Sequence, residues 1–144
     1  MKTVVLVLVA ISSILIAQMS RDAKGIVRDS KTQLEWQDDN NMSEESTIYG
    51  AKEYCLNKNL DGYGWRVPTI EELQTILTKK EPNPPRIADI FINTKPDYYR
   101  SSSYYDKNSS FSWIIYFGSG YRGIKFIGSF TNVICVRDIN KTRS

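Results

Sequence analysis

The order of apolar patterns along the chain predicts an α+β fold: an N-terminal β-hairpin, two helices, then antiparallel strands. Three observations predict it. Residues 25 to 36, GIVRDSKTQLEW, alternate apolar and polar side chains around a polar turn, the period of two that marks a half-buried strand pair. Residues 47 to 80 carry apolar side chains at helical spacing in two runs, broken by Gly62 and Gly64. Residues 112 to 138 divide into three short apolar runs, SWIIYFGSG, RGIKFIG and NVICVRD, with Gly and Ser between them, which reads as a meander of strands. Strands and helices grouped apart point to α+β rather than alternating α/β.

The 144-residue chain opens with Lys2, an apolar run from Val4 to Ile16, and the small residue Ala17. This is the grammar of a secretory signal peptide, so export and cleavage after residue 17 are expected. The run falls short of the ~20 residues that a membrane-spanning helix needs. Leu15 fits the small-residue rule less well, and an uncleaved segment would be the chain's one attachment to a membrane. Residues 18 to 24 read as a linker, 25 to 138 as one domain, and 139 to 144 as a polar tail.

Within the domain each element has a local reason. Ile26 and Val27 lead into a polar turn at Asp29 to Thr32, after which Leu34 and Trp36 alternate with Gln33, Glu35 and Gln37. Ile48, Ala51, Tyr54 and Cys55 share one face of the first helix. The second helix begins at a capping box. Thr69 is followed three residues later by Glu72, so each side chain can satisfy the other's free backbone N–H. Pro68 keeps Val67 out of the helical region and fixes the start. Ile70, Leu73, Ile76 and Leu77 then form an apolar stripe, with Lys79 and Lys80 at the C-terminal end where cations suit the dipole.

Composition excludes several functions. A formal charge of +3 gives no basis for nucleic-acid binding. The chain has no His, so Ser101-Ser102-Ser103 cannot belong to a Ser-His-Asp triad, and no Ser-x-x-Lys appears there. No phosphate loop, paired carboxylates or metal-ligand cluster stands out, so no catalytic residue, metal or cofactor is assigned. Cys55 and Cys135 are the two cysteines. In an exported chain one disulfide is expected, and closing a loop of about 80 residues contributes about 4 to 5 kcal/mol in the chain-entropy model. Two free thiols are the alternative. Glu81-Pro82-Asn83 matches the triplet with which C-type lectins hold calcium and sugar, and hard oxygen ligands suit calcium. It follows a helix directly and no Trp-Asn-Asp completes it, so a proline-rich loop is the expectation.

Taken in order, GIVRDSKTQLEWQ, AKEYCLNKNLDGYGWRVPTIEEL, YYRSSS and VICVRD resemble the Lcl C-terminal domain family, typified by the C-terminal domain of the Legionella collagen-like adhesin. The shared pattern is a Leu-x-Trp-Gln strand, a Tyr-Cys helix, a Trp-Arg-x-Pro-Thr-x-x-Glu-Leu corner, a triple-serine strand and a final Cys-Val-Arg strand. It spans roughly the whole mature chain. Three positions depart from it: Gly64 for Asp, Gln33 for a turn Gly, and Tyr99-Arg100 for Tyr-Trp. The resemblance implies a secreted or surface-exposed bacterial domain; its known relative binds sulfated glycosaminoglycans as an adhesin. The pairing of a first-helix Cys with a last-strand Cys is similar to the C-type lectin architecture. No Gly-x-y stalk is present, so trimerisation through one is not implied.

Two groups of residues remain to be assigned. Trp65, Arg66, Pro68, Thr69 and Glu72 read as a structural corner, with the indole as a core plug and Arg66 paired to Asp61 or Glu72. A binding pair is the other reading of Trp65 and Arg66. Residues 95 to 125 are rich in Tyr and cations. Tyr99, Tyr104 and Tyr121 suit packing on sugar faces, and Arg100, Lys107, Arg122 and Lys125 suit pairing with sulfate. An ordinary tyrosine-bearing sheet surface is the alternative. The expected function is a non-enzymatic module that binds glycans or sulfated polysaccharides in adhesion, with a structural or protein–protein module of the bacterial envelope as the second expectation.

Overall fold

A computed structural model of the chain describes residues 18–43, 45–78 and 85–139. The expected signal segment 1–17, the pair Lys79 and Lys80, the triplet Glu81-Pro82-Asn83 and tail residues 140–144 lie outside the described residues.

The N-terminal hairpin forms from β2 (Ile26–Asp29) and β3 (Leu34–Gln37) in antiparallel register. The Asp29 carboxylate closes the turn by accepting the Lys31 N–H at 2.9 Å and the Thr32 hydroxyl at 2.9 Å. Gln33 takes the positive φ of 58° that the turn requires, the backbone region for which Gly is the ordinary choice. At the strand entry, Gly25 has φ +84° and a Cβ there would stand 2.6 Å from the Asp39 Cα, so no other residue fits without moving the Asp38–Asp39 backbone.

The segment expected as a linker contains a strand. β1 (Met19–Arg21) adds to the hairpin edge and pairs with β2. Arg21 anchors it, donating to the Asp38 carboxylate at 3.1 Å and the Asp38 carbonyl at 2.7 Å. β3 also departs from the expected half-buried alternation, because all four of its residues are buried. It lies between β2 and β9 (Val136–Asp138) in a sheet of order β1-β2-β3-β9. Its polar side chains are therefore enclosed and paired: Glu35 accepts from Arg28 and Arg137, and Gln37 donates to the Tyr54 hydroxyl at 2.7 Å.

α1 (Ile48–Asn57) is capped by Thr47, whose hydroxyl accepts the Gly50 N–H, and it buries Ile48, Ala51 and Cys55. Cys55 is joined to Cys135 with a Cα–Cα distance of 5.6 Å. α2 (Ile70–Thr75) ends sooner than its apolar stripe predicts. The β-branched run Thr75-Ile76 passes into β4 (Leu77–Thr78), which pairs with β5 (Arg86–Ile87); such residues favour extended backbone. The stripe still works as expected up to Ile76, which is buried with Ile70 and Leu73.

The second large sheet is an antiparallel meander of β6 (Tyr98–Tyr104), β7 (Phe111–Tyr116) and β8 (Tyr121–Phe126). It differs from the expected meander, because the Cys-Val-Arg strand is absent from it. That strand, β9, crosses to the hairpin sheet, where Val136 pairs with Trp36. The core has two parts. One contains Trp36, Ile70, Leu73, Tyr99, Ile115, Phe117 and Ile134. The other surrounds the disulfide with Ile26, Ala51, Trp65, Val67 and Val133. Among the described residues no helix is long and apolar enough to cross a membrane.

Because the Cys55–Cys135 bridge closes a sequence separation of 80 residues, replacing both cysteines with Ala is expected to lower stability by about 2 to 5 kcal/mol. Urea unfolding of the two proteins checks this, and coincident midpoints would contradict it.

Candidate functional site

The corner is built from local chemistry. Thr69 caps α2 by accepting the Glu72 N–H at 3.2 Å, and Glu72 returns the bond by accepting the Thr69 N–H at 2.8 Å. Arg66 holds both oxygens of Glu72, at 2.6 and 2.7 Å. Burial alone would raise the Glu72 carboxyl, but the Arg66 and Thr69 hydrogen bonds outweigh it and hold the group below its ordinary value. Trp65 is 2 % exposed, and its indole N–H points at the Leu60 and Gly62 carbonyls, each at 3.2 Å. These side chains are consumed by the fold and offer little to a ligand.

The three serines lie where β6 bulges. Arg100 pairs with Ile114 and Tyr104 with Ser112, so four steps of β6 oppose two of β7. The bulge is satisfied by its own hydroxyls. Ser101 donates to the Trp113 carbonyl at 2.7 Å, and Ser103 accepts the Ile70 N–H at 3.0 Å. The Ser102 N–H reaches the Pro68 carbonyl at 2.8 Å. The bulge thus ties the sheet to the corner.

Two residues expected at a ligand surface are inside. Tyr99 is 3 % exposed and stacks on Phe117 with ring centroids 4.5 Å apart. Arg100 is wholly buried. It donates to Ser112 at 2.6 Å, Thr131 at 3.2 Å, and the Phe126 and Ser129 carbonyls at 3.1 and 2.7 Å. Burial pushes its guanidinium below the ordinary value. The Tyr99 ring is not free to pack on a sugar face, and Arg100 cannot pair with a sulfate; it instead staples the 126–131 segment onto the sheet.

The remaining candidates divide between the faces of the meander. The register puts Tyr104 and Lys125 in one row, both opposite Ser112. Lys52, reaching from α1, donates to the Tyr104 hydroxyl at 3.1 Å and stands 5.1 Å from the ring centroid. Lys125 stands 5.7 Å from the centroid of Tyr98. Lys107 is exposed in the turn after Tyr104. At the other end of this face Tyr121 is 60 % exposed. Its ring lies over Gly123, where a Cβ would be 2.8 Å from the ring, so one ring face rests on the sheet. Arg122 alternates to the opposite face, 4.2 Å from the Trp113 centroid. Sequence reading missed Lys52, which lies far upstream of the tyrosine-rich segment. Among the described residues no group of three or more metal-ligating side chains occurs.

The chain is thus a disulfide-closed α+β domain whose corner is structural and whose surface carries two lysine–tyrosine pairs. The sequence model of the Lcl C-terminal domain matches residues 25–137, and the chain belongs to that family. No curated protein matches the chain in sequence.

The corner geometry sets expectations for stability. Thr69→Ala should cost about 1 kcal/mol as a lost cap, and Trp65→Ala about 3 to 5 kcal/mol as a core truncation. The depressed Glu72 carboxyl contributes stability above its ordinary range that is lost as pH falls through its folded value. Denaturant melts at several pH values check all three. A Trp65→Ala protein that melts like the wild type would mean that the indole serves a ligand and not the core.

Proposed function

We propose that the chain is an exported, non-enzymatic adhesin-like module that recognises sulfated glycans through the Tyr98–Tyr104–Lys125 face of its meander. The observation that carries this is the doubled pairing of a lysine with a tyrosine ring, Lys52 with Tyr104 and Lys125 with Tyr98, on one sheet face. An ammonium held beside an aromatic ring offers a charge to sulfate and an apolar plane to a sugar ring. Tyr121 extends the face, and Lys107 adds a charge at its edge. Family membership supports the same reading, since it points to a surface or exported adhesin domain. The lack of His in the sequence and the structural use of the serines support a non-enzymatic role. The bond from α1 to the segment before β9, with β9 closing on the hairpin, supports a C-type-lectin-like architecture. A protein–protein module of the envelope is the second reading, favoured by the exposed apolar side chains Ile124 and Phe126 on β8.

Heparin affinity chromatography tests the first reading. The protein should be retained at low salt and elute as salt rises, because exposed charges are screened within about 8 Å at physiological ionic strength. The Lys52→Glu/Lys125→Glu protein should lose most of that retention, while Arg122→Glu, on the other face, should lose little. Flow-through of the wild type at low salt would overturn the sulfated-glycan reading and leave the protein–protein module.

A further inference from the structure

A polar cleft of about 390 Å³ lies between Met42, Ser43 and Glu45 on one side and Asn93, Lys95, Asp97 and Asn132 on the other. Its floor is Tyr99 and one wall is Met42. The 93–97 wall is fixed from below. The fully buried Asp38 carboxylate accepts the N–H groups of Ile92, Asn93 and Thr94 at 2.8, 3.0 and 2.9 Å, and the Thr94 hydroxyl at 2.8 Å. That wall is therefore held in place by the fold itself.

The lining is rich in acceptors held in place. The Asn93 amide nitrogen donates to the Asp38 carbonyl at 2.6 Å and that of Asn132 to the Tyr98 carbonyl at 3.2 Å, which leaves both amide oxygens to accept. Glu45 and Asp97 add carboxylates, and Lys95 adds one ammonium. The nearly buried Tyr99 hydroxyl accepts the Lys95 N–H at 3.1 Å; among the described residues its own proton has no acceptor. Burial raises this hydroxyl to about 12, so it remains a donor at physiological pH.

We infer that this cleft binds a single unsulfated sugar unit, neutral or amine-bearing, at a site separate from the lysine–tyrosine face. Two carboxylates against one ammonium repel sulfate and carboxylate. Fixed amide oxygens call for ligand hydroxyl or amine donors, and the Tyr99 hydroxyl and Lys95 for ligand acceptors; a sugar hydroxyl supplies both. The volume falls within the ordinary range for small-ligand sites, about 300 to 1,000 Å³, and suits a single sugar unit rather than a polymer.

The test is amide chemical-shift mapping of the isotope-labelled protein with methyl glycosides of glucose, galactose, mannose, glucosamine and N-acetylglucosamine, and separately with a heparin disaccharide. At least one uncharged or amine-bearing glycoside should saturate, with a dissociation constant on the order of 1 mM, and should shift the amides of residues 93–95, 97–99 and 132. The affinity for an uncharged glycoside should be unchanged when salt is raised. Tyr99→Phe, which keeps the buried ring, and Lys95→Ala should each weaken that binding several-fold with the melting temperature retained. The heparin disaccharide should shift residues around Lys52, Tyr104 and Lys125 and leave the cleft alone. Shifts at the cleft from heparin only, no saturable shift from any of the five glycosides, or unchanged affinity in both variants would overturn the inference. Heparin retention on a column is unaffected by these outcomes, so failure here and failure of the sulfated-glycan reading are told apart.

Discussion

The guanidinium of Arg137 is the constraint from which the rest of the structure hangs. It is 3 % exposed, and a buried charge must be answered on every side. Its Nε meets the Glu35 carboxylate on β3, and its Nη1 meets the carbonyls of Leu60, Asp61, Gly62 and Tyr63 at 3.1 to 3.3 Å. Its Cζ stands 4.3 Å from the Trp65 ring centroid; Nη2 is the exception, with no hydrogen-bond partner among the described residues, so the ring face and the other two nitrogens carry the compensation. One side chain therefore orders the sheet, the glycine-rich loop and the tryptophan of the corner at once. Its neighbours add to the knot: Cys135 bonds to α1, Val136 exchanges two backbone hydrogen bonds of 2.9 Å with Arg66, and Asp138 lies 3.4 Å from Arg66.

This knot separates structure from recognition. The corner spends its charges internally, so Trp65, Arg66 and Glu72 hold α2 in place. The second sheet is then free to carry side chains outward. Where it must dock on the rest, polar groups again do the work: the Ser101–Ser103 bulge binds the corner and Arg100 binds the 126–131 segment. Where it faces solvent it carries the lysine–tyrosine pairs, and on β8 also the exposed Ile124 and Phe126.

What was legible in the sequence was local. The hairpin, the capping box and the first helix follow from turn chemistry and apolar spacing within a dozen residues, and the structure has them. The disulfide was legible from the cysteine count and the expectation of export. The crossing of β9 was not, because strand pairing across about 100 residues leaves no local pattern. Arg100 shows the same limit at the site. Charge and a tyrosine neighbour read as a surface, yet its acceptors at Thr131 and Ser129 come from a loop far downstream. A signal did exist: Arg100 stands where the resembled pattern has Trp, a residue type that is highly buried on average. The polar cleft was invisible for a like reason, since its lining comes from three separate segments.

A double-mutant cycle between Arg137 and Glu35 tests the central claim most directly. Arg137→Met and Glu35→Gln, singly and together, would be compared by urea unfolding. Loss of Arg137 alone should destabilise by about 3 to 5 kcal/mol, because a buried carboxylate loses its partner. The double substitution should cost clearly less than the two single losses combined. Additive effects, or an Arg137→Met protein with the wild-type midpoint, would show that the fold does not depend on this guanidinium.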